Sequence, residues 1–306
     1  MKKIPAVIAL TTLVALPLAA CSDPDVATPS GSASASNSAP TFDVSTIETV
    51  DEIAALVPEE VRQRGVLRNG ASTDYAPAEF RDTDGTTPIG YDVTIVEALA
   101  KVMGLESGTT QHAEFPTIIP ALGSKFDIGM SSFTITPERL DQVNMVSYIE
   151  VGSSFAVKAS NPSGFDPANP CGTTIGVQTG TYQADLAQQM SDNCVAQGKA
   201  EITIMPHDLN TDAITKLVGG QYDAVFSDST VTGYAVSRTN GQIEQIGDVI
   251  ESEPQGVAIN KSDAQLSDAV LKAMQYLMDQ GYLAQILAEY GAESAALTTA
   301  ELNPSK

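Results

Sequence analysis

The chain has 306 residues and a formal net charge of −22 at pH 7. Such a strongly negative field repels nucleic acid and anionic membrane surfaces, which argues against a role in binding DNA or RNA. Hydrophobic residues make up 42% of the chain and charged residues 18%, as in globular proteins, and the length allows one large domain or two ordinary ones.

The first residues have the pattern of an export signal. Lys2 and Lys3 precede an apolar run over residues 4–20, which ends in small residues before Cys21. This pattern predicts a secretory signal peptide over residues 1–20. A transmembrane anchor is the alternative, but the run is short and two prolines interrupt it. The ending Leu-Ala-Ala-Cys resembles the bacterial lipobox, which implies that Cys21 becomes a lipid-modified N-terminus.

Residues 21–45 are rich in Ser, Ala, Pro, Asp and Thr, and they hold too little apolar surface to form a core. We expect this segment to be a disordered tether between the membrane and a folded domain.

The two other cysteines, Cys171 and Cys194, would enter an oxidising compartment on export, which favours a disulfide between them. Two buried thiols or a metal site are the alternatives. Neither His112 nor His207 stands at ligand spacing from a cysteine, so we expect no metal site.

The folded part begins near Asp51, where a short helix is followed by a strand from Val66 and by a loop over residues 70–80. A strand that gives way to small residues and an aromatic, here Tyr75, is suited to a binding loop. The next helix has one apolar face, and we expect Asp92 to be its N-cap. Strand, loop and helix in this order predict an α/β fold.

The stretch over residues 115–139 is the centre of the prediction. A short apolar helix leads into a buried strand, and the small polar residues Ser131, Ser132 and Thr134 follow it. Arg139 lies one turn inside the next helix. Hydroxyls and free backbone N–H groups at a strand end, with one guanidinium nearby, form a socket for a carboxylate. The alternative is a turn followed by a surface helix whose arginine is solvated.

The second half of the chain repeats this layout. Helix, glycine turn and aromatic–Asp pair follow the same order over residues 119–127 and 214–223, and a buried strand and a polar strand end come next in both. Thr181 lies at a similar strand end, before a helix whose first N–H groups favour an anion. Asp228 must cap a helix, meet a cation or face a cleft, because an unpaired buried carboxylate is costly. We infer two similar lobes that present strand ends to a shared cleft.

After Asp228 the sequence predicts a return strand at residues 256–260, a capping box at Ser262 and Gln265, and a long amphipathic helix. A final helix follows over residues 282–290. We expect this return to complete the first lobe.

These motifs, in this order, resemble the polar amino-acid-binding proteins of ABC importers. The likeness covers about residues 60–291 and includes the Phe…Ile-Ile-Pro-Ala-Leu…Asp run and the Gly-Tyr-Asp-Val of residues 90–93. The resemblance implies a two-lobed α/β fold of the type II periplasmic-binding-protein class. Each lobe would be a mostly parallel sheet flanked by helices, with two crossover strands as the hinge. The lobes would be residues 46–154 with 256–306, and residues 155–255.

The resemblance also implies eight ligand-binding residues. The α-carboxylate of an amino acid would be bound by Arg139 with Ser132, Thr134 and Thr181, and Ser131 would lie beside them. Asp228 would bind the α-ammonium, and Tyr75 and Phe80 would line the side-chain pocket. A packed tyrosine and ordinary helix caps at Thr181 and Asp228 are the alternatives.

The chain departs from the family's pattern twice in the binding loop. Ala78 stands where the family commonly has a large apolar residue, and Ser72 stands where relatives that bind charged or amide side chains often carry Asp. Asp74 or Glu79 is a candidate for the missing polar contact, which leaves the side-chain preference open.

The sequence therefore predicts a monomeric, lipid-anchored, extracytoplasmic protein without cofactor or metal. It would capture an L-amino acid or a close analogue and deliver it to an ABC-transporter permease. One alternative is an enzyme, because exported cyclohexadienyl dehydratases resemble this family and use a cleft carboxylate, here Glu79 or Glu114, as acid or base. A ligand sensor is another alternative. Two histidines and no nucleophile elbow argue against a hydrolase.

Overall fold

The computed structural model describes residues 42–304, in which strands and helices alternate. The α-helices are α1 (Asp51–Ala54), α2 (Glu59–Arg64), α3 (Tyr91–Val102), α4 (Phe115–Ile118), α5 (Pro137–Gln142), α6 (Tyr182–Ala196), α7 (Asn210–Val218), α8 (Ser229–Arg238), α9 (Ala264–Asp279) and α10 (Tyr282–Ala288). The strands are β1 (Val66–Ala71), β2 (Phe80–Arg81), β3 (Pro88–Ile89), β4 (Ser107–His112), β5 (Ile128–Gly129), β6 (Val143–Lys158), β7 (Thr174–Gln178), β8 (Thr203–His207), β9 (Ala224–Asp228) and β10 (Ile243–Asn260).

Eight of these strands form one sheet in the order β4-β1-β5-β10-β6-β9-β7-β8. β4, β1 and β5 are parallel at one end, and β9, β7 and β8 are parallel at the other. Between them, β10 and β6 are antiparallel to their neighbours and to each other. The two parallel groups are thus joined by a pair of long strands.

The buried apolar side chains form separate clusters at the two ends of this sheet. The largest packs α3, α9 and α10 against β1 and β5, and a smaller one surrounds α4. Two others pack α6 and α7 against β7 and β9. We call the part around β4, β1 and β5 the first lobe, and the part around β9, β7 and β8 the second lobe.

The two lobes repeat one local arrangement, in which an aromatic ring lies on a strand glycine. A Cβ built on Gly70 would stand 2.4 Å from the Phe126 ring, and a Cβ on Gly176 would stand 2.8 Å from the Tyr222 ring. Glycine is required at both positions because the ring occupies the space of a side chain. The repeat predicted from the aromatic–Asp pairs is therefore present.

In each lobe, the aspartate of the aromatic–Asp pair binds the first half of the strand that carries the glycine, which is β1 or β7. Asp127 accepts a hydrogen bond from the backbone N–H of Arg68 at 2.8 Å, and Asp223 accepts one from that of Thr174 at 2.8 Å. Asp127 also pairs with the guanidinium groups of Arg64 and Arg68. Asp127 thus holds β1, and Asp223 holds β7, near the strand's N-terminal end. The binding loop and Thr181 follow the opposite ends of these strands.

The prediction that Asp92 caps α3 is wrong. Gly90 is the N-cap, with φ of +128°, and a Cβ there would lie 2.1 Å from the carbonyl oxygen of Ala78. Asp92 is buried in the first turn, where it accepts hydrogen bonds from the Ser132 backbone N–H at 2.9 Å and the Tyr148 hydroxyl at 2.7 Å. The helix begins two residues earlier than predicted, at Tyr91, so the Asp92 carboxylate faces the interior.

Other boundaries also differ. Asp263, not Ser262, caps α9, since its carboxylate accepts from the Leu266 N–H at 2.9 Å. The predicted return strand is only the end of β10. Residues 42–45, predicted to belong to the tether, are part of the folded domain, because Phe42 packs on Tyr282 with ring centroids 6.0 Å apart.

Cys171 and Cys194 form a disulfide that joins the segment before β7 to α6. The predicted signal peptide and Cys21 lie outside the described residues. None of the helices within residues 42–304 is long and apolar enough to span a bilayer.

Candidate functional site

Polar side chains from the ends of three strands meet in a cavity between the lobes. Ser131, Ser132 and Thr134 follow β5, Thr181 follows β7, and Asp228 ends β9. The cavity is narrow, and its lining comprises Tyr75, Phe115, Ser131, Ser132, Thr134, Arg139, Gln178, Thr181, Tyr182, Gln183 and Asp228. Seven of the eight predicted ligand-binding residues therefore lie together. Arg139 and Asp228 are the charged side chains in this lining.

Arg139 is held by both lobes. Thr136 caps α5, which begins with Pro137, so the arginine lies in the first turn. One terminal nitrogen donates to the Thr134 carbonyl oxygen at 2.7 Å, and the other donates to the Gly180 carbonyl oxygen of the second lobe at 3.2 Å. Burial lowers the pKa of Arg139, but a guanidinium stays charged in proteins.

Two aromatic rings flank the Arg139 guanidinium. Its carbon lies 5.5 Å from the centre of the Phe115 ring and 5.4 Å from that of Phe133. These rings stack on each other and orient the cation. The surface helix with a solvated arginine, considered from the sequence, is therefore wrong.

Asp228 is buried, with 3% of its surface exposed. Its carboxylate accepts hydrogen bonds from the Gln183 amide at 2.7 Å and the Gln255 amide at 2.8 Å. It occupies the N-cap position of α8 but makes no side-chain cap there. Burial raises the pKa of Asp228 to about 6, although both amides and Arg139 favour the charged form.

Thr181 combines a helix cap with a place in the lining. Its hydroxyl donates to the Gln178 carbonyl oxygen at 2.8 Å and accepts from the Ala184 N–H at 3.2 Å, which caps α6. The side chain is buried at the cavity, at the helix end that favours negative charge. The helix cap is thus confirmed, and the contact of Thr181 with a ligand carboxylate stays a prediction.

A second group of carboxyls lies directly behind the cavity wall. Glu79 is fully buried and accepts a hydrogen bond from the Ser131 hydroxyl at 2.6 Å. The Asp92 carboxyl lies near that of Glu79, and Ser132 contacts both, through its N–H to Asp92 and its hydroxyl to Glu79. Burial raises the pKa of both carboxyls.

Phe80 is the one predicted residue that does not line the cavity. Its ring packs on Tyr234, 5.8 Å between centroids, and it borders a neighbouring groove with Asp74, His112 and Glu114. The Phe80 ring thus lies against Tyr234 of α8 and outside the cavity lining.

Sequence reasoning missed four lining residues. They are Phe115, Gln178, Tyr182 and Gln183. The glutamines flank Thr181, one at the end of β7 and one in the first turn of α6, so the position of Thr181 was a usable signal. Phe115 opens the central stretch and comes soon after the end of β4. Its position near a strand end was the signal that its ring, like that of Tyr75, could line the cavity. Within residues 42–304, no cluster of His, Cys, Asp and Glu is arranged to hold a metal ion.

Comparison with known proteins gives consistent matches. A family model of the bacterial extracellular solute-binding proteins, family 3, matches residues 67–293. The arginine-binding protein ArgT of Corynebacterium glutamicum is 37% identical over 258 residues, 84% of this chain and 84% of that protein.

Two solved structures have the same fold. An ancestral arginine-binding protein bound to arginine matches with a TM-score of 0.69 and 28% identity, over 74% of this chain and 99% of that chain. The ancestral amino acid-binding protein AncCDT-1, a precursor of cyclohexadienyl dehydratase, matches with a TM-score of 0.68 and 29% identity, over 77% of this chain and 99% of that chain.

Proposed function

Because the chain belongs to the bacterial extracellular solute-binding proteins of family 3, we propose that it captures a basic L-amino acid, arginine first, between its two lobes. Its type II periplasmic-binding-protein fold and its role as the amino-acid-binding component of an ABC importer, both predicted from the sequence, are confirmed by its relatives. The proposal therefore concerns the ligand, its contacts and the anchoring.

The opposed charges of Arg139 and Asp228 carry the proposal for the backbone of the ligand. The α-carboxylate binds the Arg139 guanidinium and the hydroxyls of Ser132, Thr134 and Thr181. The α-ammonium binds Asp228, whose carboxylate the amides of Gln183 and Gln255 already orient. Closure buries both ligand charges against partners, and a missing partner costs several kcal/mol.

The charge balance behind the cavity favours a basic side chain. Three carboxyls, Glu79, Asp92 and Asp228, are buried at or behind the lining, where Arg139 is the one cation among the described lining residues. After an α-carboxylate and an α-ammonium have paired with Arg139 and Asp228, the carboxyls of Glu79 and Asp92 remain. Burial favours their protonated forms, and a cationic side chain beside the wall would favour ionisation instead. Tyr75 and Phe115 supply rings for the aliphatic part of the side chain. The relatives named for arginine support this class.

We propose that residues 46–154 with 256–306 and residues 155–255 move as two lobes about β6 and β10. The separate apolar clusters of the two lobes support this division. The ligand favours the closed state because it binds that state better. Cys21 would anchor the protein by a lipid, residues 21–41 would be its tether, and the protein would meet its permease as a monomer.

Isothermal titration calorimetry tests the ligand assignment. We expect the wild-type protein to bind arginine, lysine and ornithine more tightly than citrulline or glutamine. Arg139→Ala should abolish binding of all of them while the protein stays folded. Wild-type affinity in that variant would overturn the assignment of the carboxylate site.

An enzymatic role on the same fold is the second candidate. Its specific support is the likeness to AncCDT-1 and the enclosed Glu79, whose raised pKa suits a general acid. Incubation with prephenate or arogenate separates the two functions. We expect no product above the rate in buffer, and turnover that Glu79→Gln abolishes would favour the enzyme.

A further inference from the structure

Asp74 lies in the loop after β1, in the first lobe, and is bonded to the second lobe. Its carboxylate accepts hydrogen bonds from the backbone N–H of Thr211 at 3.0 Å and from the Thr211 hydroxyl at 2.7 Å. The two residues are 137 positions apart in the sequence. Asp74 was a candidate reader of the ligand side chain, but it is absent from the cavity lining and borders the groove beside it.

The position of Thr211 explains why a carboxylate is favourable there. Thr211 is the second residue of α7, and Leu209, the N-cap, makes no side-chain cap. The first N–H groups of a helix have no partner within the helix, and the helix end carries partial positive charge. Helix α7 of the second lobe is therefore capped by a residue of the first lobe, and opening of the cleft removes this cap.

Three further hydrogen bonds across the cleft each involve a residue of the cavity lining. Gln178 donates to the Ser72 hydroxyl at 3.0 Å, the Asp228 N–H donates to Tyr75, and Arg139 donates to Gly180. A ligand in the cavity competes with these groups or rearranges them. The Asp74–Thr211 contact lies outside the lining, so a ligand leaves it in place.

We propose that Asp74 and Thr211 form a clasp that sets ligand affinity by stabilising the closed state, without contacting the ligand. This inference rests on the proposed function in one respect, namely that the ligand binds the closed form of the protein. A contact made only in the closed state raises the closed fraction, and the apparent affinity rises with that fraction. Every ligand that binds the same closed form gains by the same factor, so the clasp changes affinity but leaves selectivity constant.

The test measures affinity for two ligands and the openness of the free protein. In Asp74→Ala we expect the Kd for arginine and the Kd for lysine to rise by the same factor, about tenfold for loss of a hydrogen-bonded carboxylate. The release rate should carry most of this change. Thr211→Val should show a smaller rise, because the N–H remains. Thr215→Val, the same substitution one turn further along α7, should leave both Kd values unchanged.

The double variant Asp74→Ala with Thr211→Val should bind like Asp74→Ala alone, since the hydroxyl has then already lost its partner. Small-angle X-ray scattering of ligand-free protein should show a larger radius of gyration for Asp74→Ala than for wild type. This measurement needs no ligand, so it tests the clasp even if the wild-type protein binds no amino acid. Unequal factors for arginine and lysine would show direct contact with the ligand and overturn the clasp. Unchanged affinity together with an unchanged radius of gyration would also overturn it.

Discussion

The hydroxyl of Tyr75 accepts a hydrogen bond from the backbone N–H of Asp228 at 3.0 Å. The first lobe thus contacts the strand end of the second lobe at the carboxylate proposed to bind the ligand ammonium. Burial raises the pKa of Tyr75, so the hydroxyl stays protonated at neutral pH. One side chain supplies both a ring in the cavity lining and a hydrogen bond that aligns Asp228.

Removal of the hydroxyl alone should separate these two contributions. In Tyr75→Phe the ring remains, and we expect the Kd for arginine to rise about fivefold through loss of one neutral hydrogen bond. Tyr75→Ala should weaken binding further, because the ring is lost too. Calorimetry measures both, with Tyr282→Phe, outside the cavity, as the control. Equal loss in the two Tyr75 variants would show that the ring contributes nothing.

Asp228→Asn should change stability and binding in opposite directions. The ligand-free protein keeps a buried carboxylate that no cation pairs directly, and removal of such a charge is neutral or stabilising. We expect the free energy of unfolding to stay equal or rise, while the Kd for arginine increases at least a hundredfold through loss of the ammonium partner. Urea denaturation and calorimetry measure the two quantities. A loss of stability equal to the loss of binding would indicate a structural role.

The raised pKa of Asp228 predicts a pH dependence with a defined sign. The carboxyl titrates at about 6 in the folded protein and at 3.8 when unperturbed, so the folded state binds more protons between these values. The Asp228 contribution to the free energy of unfolding should therefore fall as pH rises from 3.8 to about 6, and stay level above.

Arginine affinity should rise over the same interval, because the ammonium needs the ionised form of Asp228. The difference between wild type and Asp228→Asn isolates this contribution from that of the other carboxyls. A difference that does not change between pH 4 and pH 7 would contradict the prediction.

Glu79→Gln tests whether the carboxyls behind the wall select a cationic side chain. The substitution keeps the shape and removes a carboxyl that a bound cation could ionise. We therefore expect about a tenfold rise in the Kd for arginine and little change for neutral citrulline. Glu97→Gln, on the exposed face of α3, is the matched control. Equal weakening for arginine and citrulline would assign Glu79 to the support of Ser131 only.

The glycines beneath the two aromatic rings should be intolerant of alanine. A Cβ at Gly70 would stand 2.4 Å from Phe126, and a Cβ at Gly176 would stand 2.8 Å from Tyr222. Each substitution overpacks a core and should cost about 1–3 kcal/mol of unfolding free energy. Gly233→Ala, within α8 and with open space around it, should be neutral or slightly stabilising. Urea denaturation compares the three variants, and equal stabilities would contradict the packing.

The sequence predicted the fold and most of the cavity because strand ends have local signatures. Ser131 to Thr134 and Asp228 follow buried apolar strands, and a parallel sheet brings such ends to one edge. Asp92 and Phe80 were misplaced because each has a plausible local role whose direction depends on distant residues. The contacts of Asp92 are Ser132 and Tyr148, which no local pattern connects to it. The Asp74–Thr211 bond was unpredictable for the same reason.

The chain leaves the first lobe along β6 and returns to it along β10, and these strands are direct neighbours in the sheet. The second lobe is therefore an insertion whose two junctions lie side by side. We expect that such a segment can be exchanged between relatives as one unit, because only the two neighbouring junctions of the first lobe have to be joined again. A chimera made this way would keep Arg139 and Tyr75 from one parent and acquire the partner for the ligand's ammonium from the other.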